Sequence, residues 1–205
     1  MVKLYFSLLI FSSLIPILIS LNYFRKKNDF SILPIFLWVL VRLFSDIIVF
    51  INRENSSTVY SPFVHVAILI ESVLLINFFL KNSKTIKYGL LLYAIPFLVF
   101  VIETQFVSSI FHTTQIGILS YSFLIVLLML VLILNQNTHT NQYRSLIKVL
   151  FLYHAISFGY FVYIKQLREN LPLMQIIYPV FLVLVVSMNI TISKIIWSKS
   201  KNQYF

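Results

Sequence analysis

Trp38, Arg42 and Asp46 recur at every fourth position of an otherwise apolar segment, so a helix there carries an indole, a guanidinium and a carboxylate along one face. Two kinds of chemistry use such a set. Opposite charges can neutralise one another and a third group, holding neighbouring helices in register. Alternatively, carboxylates and a histidine can change protonation while they receive an ion, a proton or a substrate. Glu71 lies in the next apolar segment and His154 in a later one. With about 1.5 Å of rise per residue, Arg42 and Glu71 both fall about 14–15 Å from the same boundary, and His154 falls at a similar depth. The expected geometry is an interhelical Arg42–Glu71 contact with Asp46 one turn away, and both chemistries remain open.

These residues need helices long enough to hold them. The apolar stretches cover residues 2–24, 30–52, 62–80, 88–102, 116–134, 149–164 and 174–197, most of the length needed to cross a hydrocarbon core about 30 Å thick. Composition agrees: 60% of residues are hydrophobic, 17% aromatic and 11% charged, with mean hydropathy +0.92, against about a quarter charged in soluble domains. Continuous rather than alternating apolarity indicates helices instead of barrel strands. The sequence therefore predicts an all-α polytopic transmembrane bundle of about seven helices, one domain over residues 1–205. Six remains the alternative, because the fourth and sixth stretches are short. Lys3 and the following apolar run resemble a signal peptide, but with no small-residue cleavage site and Arg25–Lys27 just beyond, an uncleaved first helix is expected.

Net charge is +10, and its placement decides what it means. Arg25, Lys26 and Lys27 follow the first stretch, Lys81, Lys84 and Lys87 the third, Arg144 and Lys148 the fifth, and Lys199 and Lys201 the seventh. The opposite connectors hold only Lys3, Arg53, Lys165 and Arg168. The positive-inside bias places the N-terminus outside and the C-terminus in the cytoplasm, in a bacterial inner membrane. The same lysines and arginines attract anionic lipid headgroups. No basic run is interleaved with aromatics, so direct nucleic-acid binding is not expected.

Other chemistry finds little support. Zero cysteines exclude thiolate catalysis, disulfides and Cys-bound metal centres. The four histidines lack the spacing of a helical metal site, and no HExxH, GxSxG or P-loop occurs. No cofactor and no enzymatic activity are expected. His65, three residues inside the third stretch, is expected to be a solvated interfacial residue, although Ser61, His65 and Ser72 could share a face. Asn189 is expected to hydrogen-bond between helices. With only Gly89, Gly117 and Gly159, close contacts should use Ser120, Ser122, Ala155 and Ser157. Pro16, Pro34, Pro96 and Pro179 fall within the stretches, where each removes a backbone hydrogen bond. Pro62 suits a helix start.

Three segments together resemble a group of small bacterial seven-helix membrane proteins: 34–46 with its acidic Asp46, 65–79 with His65 and Glu71, and 188–199 with Asn189 followed by Trp197 and Lys199. The likeness spans most of the chain and implies a fold without implying an activity. In size, class and lack of cysteine the chain is also similar to the multi-helix membrane proteins encoded beside type VI-B RNA-guided RNA nucleases, which modulate the nuclease.

The expected role is a non-enzymatic sensory, regulatory or accessory one, in which cytoplasmic loops contact a protein partner. The largest such surface is the polar connector 135–148, where Asn135, Asn137, His139, Arg144 and Lys148 are the candidate contacts. The competing expectation is a small transporter or channel using Trp38, Arg42, Asp46 and Glu71, with homo-oligomerisation as one way to complete a pore.

Overall fold

A computed structural model describes residues 2–27, 29–52, 60–82, 89–107, 115–134, 144–162 and 171–201. All regular structure among them is helical: α1 (Val2–Lys27), α2 (Leu33–Asn52), α3 (Tyr60–Asn82), α4 (Gly89–Ile102) running into a π-helical turn (Glu103–Val107), α5 (Gln115–Leu134), α6 (Arg144–Val162) and α7 (Leu171–Lys201). Three helices are long and apolar enough to cross a membrane, over Ser7–Lys27, Phe63–Leu80 and Gln175–Ser200.

The helices close on themselves. α1 packs on α2 and α7, α2 on α3, α3 on α5, α5 on α6 and α6 on α7, while α4 lies outside this ring against α3 and α5. One cluster fills the interior, centred on Trp38, Leu75, Ile76, Ile125, Met129, Leu150, Val185 and Met188. Outward faces are as apolar as the core. On α1, Leu8, Phe11, Ile15 and Leu18 form an exposed stripe at helical spacing, and Ile176, Val180, Val183, Ile190 and Trp197 do so on α7. Soluble monomers seldom expose contiguous apolar patches beyond a few hundred Å². Polar groups show the opposite placement, with Ser12, Ser13, His65, Ser72, Glu103, Ser122, His154, Ser157 and Asn189 all buried. This inversion is the arrangement expected where lipid replaces water as solvent.

Small polar residues let the helices approach. Ser122 of α5 and Ser157 of α6 are buried, and those two helices pack on one another. Gly159 is not a close-contact position, since a methyl group there would meet nothing within 4 Å. Asn189 of α7 donates from Nδ2 to the hydroxyls of Ser12 (3.0 Å) and Ser13 (3.2 Å) on α1, joining the first helix to the last.

Two local readings change. Pro34 stands in the first turn of α2, which begins at Leu33; no intrahelical acceptor exists for an amide there, so this proline starts the helix and interrupts nothing. Pro16, Pro96 and Pro179 do lie inside helices. The polar connector before α6 is also shorter than its sequence suggests. α6 starts at Arg144 because Leu146, Ile147 and Leu150 supply a buried face, so Arg144 and Lys148 belong to the helix.

A cap fixes the α1–α2 corner. The Asp29 carboxylate accepts from the Tyr23 hydroxyl, from the Ser31 amide (2.8 Å) and from the Ser31 hydroxyl (2.9 Å), and Lys199 of α7 donates to Ser31 Oγ (3.2 Å). Burial opposes ionisation of Asp29, but these donors and the Lys199 charge outweigh it and hold the carboxyl below its ordinary value. A depressed folded-state value means the contribution is present above the unfolded carboxyl value of about 3.9 and fades as pH falls through the folded one. Asp29→Asn should therefore destabilise the protein at neutral pH, by less than about 1 kcal/mol for so open a site. The difference from the parent should vanish in acid, as followed by circular dichroism in detergent. Asn189→Ala should cost about 1 kcal/mol at every pH in the same measurement.

Candidate functional site

Four helices bring one polar cluster together inside the ring. α2 contributes Trp38, Arg42 and Asp46 from successive turns of one face, α3 contributes Glu71, α5 Tyr121, and α6 Tyr153 and His154. The residues singled out by spacing thus do meet. Arg42 lies within electrostatic range of Asp46, Glu71 and Tyr153.

Alongside these charges, Arg42 also meets aromatic rings. The guanidinium carbon sits 4.3 Å from the centroid of the Tyr153 ring and 5.7 Å from that of Trp38. No carboxylate oxygen closes to within 4.0 Å of Arg42 among the described residues. Planar, weakly hydrated guanidinium stacks on aromatic faces where a compact ammonium would not, so two rings take the place of a closed Arg–carboxylate fork. His154 completes an aromatic wall. Its ring centroid is 4.9 Å from Tyr153 and 5.3 Å from Tyr121, both nearly perpendicular, and 6.4 Å from Trp38.

Several polar atoms of this cluster are buried without a protein partner: Trp38 Nε1, Arg42 Nε, Asp46 Oδ2, the Tyr121 hydroxyl and both ring nitrogens of His154. Trp38 Nε1 lies near both the Glu71 carboxylate and the Tyr121 hydroxyl, but reaches hydrogen-bond geometry with neither. Trp38 and His154 are fully enclosed, whereas Arg42, Asp46 and Glu71 each retain part of their accessible surface. An unmet buried donor or acceptor costs about 1–3 kcal/mol. Any small polar species that supplied those partners would recover that cost on binding.

A second polar pair lies where the sequence suggested a solvated histidine. His65 is buried, with Nδ1 3.7 Å from Glu103 Oε2, both side chains 3% exposed. The reason is α4, which packs on α3 and ends in the π-helical turn that opens with Glu103. The extra residue in a π turn shifts side-chain register, and such turns recur at functional sites. Thr104 Oγ donates to the Phe100 carbonyl (2.8 Å) in the same turn. A cavity of about 20 Å³ adjoins the pair, lined by His65, Ser72, Pro96, Glu103, Ser120 and Tyr121 among others.

Tyr121, Tyr153 and Glu103 are the residues that spacing did not find. A tyrosine in the middle of an apolar helix is a usable signal, because its hydroxyl needs a partner. Glu103 directly follows the six apolar residues 97–102, just past the end of the fourth apolar stretch. Of the other candidates, Lys148 is exposed on α6 and Arg144 opens that helix. Asn135, Asn137 and His139 lie outside the described residues.

Comparison with protein-family models, with curated proteins and with solved structures found no match to this chain. Arg42→Gln leaves two carboxylates without their cation, and Glu71→Gln removes one of the two. Each single substitution should destabilise the protein by about 3–5 kcal/mol, and the double should recover part of that loss. Thermal unfolding of the four proteins in one detergent gives the cycle; strict additivity would mean that the two charges do not sense each other.

Proposed function

We propose that this chain is a non-enzymatic, multi-pass protein of the bacterial inner membrane with a sensory or regulatory role, its N-terminus outside and its C-terminus in the cytoplasm. The polar cluster of α2, α3, α5 and α6 is the responsive element, and a cytoplasmic protein bound at the connector before α6 is the output. The observation that carries this reading is the set of enclosed, unpartnered polar atoms around Arg42. A purely structural clamp is expected to satisfy its members, since half-satisfied buried networks are less favourable than apolar packing. A cluster left short of partners gains by meeting a small polar ligand, and its four helices are those that such binding would shift.

Basic residues at the ends of α1 and α7 support the orientation and a contact with anionic headgroups. The resemblance to nuclease-associated membrane proteins makes an RNA-guided nuclease one candidate partner. The same unpartnered atoms, with the partial accessibility of Arg42, Asp46 and Glu71, favour a small transporter or channel as the second reading, alone or as a homo-oligomer.

Two measurements separate the readings. Replacing residues 135–143, the part of the connector before α6, with a Gly/Ser linker should abolish recovery of a specific cytoplasmic protein in pull-downs from the native host while the helical circular-dichroism signal persists. Unchanged recovery of every partner counts against regulation through that segment. Reconstituted vesicles should show no protein-dependent ion flux on the regulatory reading, and flux that disappears in Asp46→Asn on the transport reading.

A further inference from the structure

Two contacts fix how α1 and α7 lie against each other. Asn189 of α7 reaches Ser12 and Ser13 of α1, and Lys199, further along α7, meets the Asp29–Ser31 corner to which Tyr23 of α1 also binds. The two helices therefore run parallel. The Asn189 partners stand 177 and 176 positions away in sequence, so Lys194 lies level with Ile17 and Leu18, Trp197 with Ser20 and Leu21, and Lys201 with Phe24 and Arg25. In this register both outward apolar stripes reach cations at the same end of the bundle. Arg25 continues the exposed face of α1 two turns after Leu18, and Lys194 continues that of α7 one turn after Ile190 and one before Trp197. Lys26 is exposed beside Arg25, whereas Lys199 is engaged at the corner by its bond to Ser31.

An ammonium set in an apolar stripe is unfavourable at hydrocarbon depth, but the long lysine stem can carry it along the helix to the headgroups. Arg25 approaches the same depth from about 10 Å further along. Between the two lies the level of Trp197, which is 48% exposed and of the residue type that sits at membrane interfaces. The apolar face of α1 from Phe11 to Leu21 spans about 15 Å, half of a hydrocarbon core of about 30 Å and so the depth of one leaflet. We propose that the paired ends of α1 and α7 form a docking site for one anionic phospholipid, whose phosphate sits between Arg25 and Lys194 at the depth of Trp197 and whose acyl chains lie along the outward stripes of both helices. Opposite charge selects the headgroup, and stripe length fits the chains. Because the lipid touches both helices, it adds to the seam that Asn189 makes. The inference rests on the membrane reading of the bundle and narrows a general attraction of headgroups to one site, whichever way the chain is oriented.

The chain has two tryptophans, and Trp38 is wholly enclosed whereas Trp197 is open to its surroundings. Tryptophan emission of the full-length protein in detergent micelles should therefore be quenched, with saturation, by phosphatidylglycerol brominated in its acyl chains near the glycerol. Net-neutral phosphatidylcholine with the same chains should quench more weakly, and Trp197→Phe should remove the effect. Arg25→Gln and Lys194→Gln should each raise the half-saturating concentration of phosphatidylglycerol about fivefold, and the double variant about 25-fold. Arg25→Lys and Lys194→Arg, which keep the charge, should retain most of the affinity. Phosphatidylglycerol should also raise the unfolding temperature of the parent and leave that of the double variant unchanged. Equal quenching by the two lipids on the parent would overturn the proposal, and this comparison decides even if the double variant does not fold. A phosphatidylglycerol preference that persists in the folded double variant would also overturn the site, while leaving general headgroup attraction in place. Absence of flux or of partner recovery bears on the proposed function and leaves this lipid titration standing.

Discussion

A chain whose described helices all turn apolar side chains outward must hold in its interior any charge that falls in the middle of a helix. Arg42 is the hardest residue to place, because a guanidinium never gives up its proton and cannot be neutralised by burial. An arginine at the centre of an apolar helix costs about 2.5–3.5 kcal/mol when it faces hydrocarbon. The remaining polar interior can be understood as a response to it: Tyr153 and Trp38 offer ring faces, Asp46 and Glu71 offer charge, and each comes from a helix that must then stay where it is. Removing Arg42 would remove the reason for much of this arrangement.

The response is incomplete, and its incompleteness has chemical content. Aromatic faces stabilise a cation without consuming its N–H donors in the way a carboxylate fork does. The result is a charge held in position but not saturated, with indole, imidazole and phenol groups nearby in the same condition. On the outside of the ring, α4 covers His65 and delivers Glu103 to it through the π turn. The two polar regions differ accordingly, one organised around a permanent cation and the other around a group whose charge depends on protonation.

Much of this was legible in the residues. Apolar run length located the seven helices of the described residues to within a few residues at most ends, and the recurrence of Trp38, Arg42 and Asp46 at every fourth position identified the face that turns inward. Counting depth from the helix ends brought Glu71 and His154 to the same level. Sequence could not show rotation about each helix axis, so nothing set Tyr121 and Tyr153 apart from the other aromatics or showed that Arg42, besides lying near Glu71, would sit on the Tyr153 ring. His65 was misjudged for a related reason. Its burial depends on α4 and on a register shift at Glu103, which hydrophobic periodicity does not encode. Pro34 and Arg144 show the usual uncertainty at helix ends, where first-turn residues resemble loop residues.

The Asn189 clasp on Ser12 and Ser13 joins the first element of the chain to the last. Ser12 also donates its own hydroxyl to the Leu9 carbonyl within α1, so Asn189 adds to the two serines the contact that reaches them from α7. A chain that stopped before residue 189 would lack the side chain that ties α7 back to α1 and would leave the ring of helices without that seam.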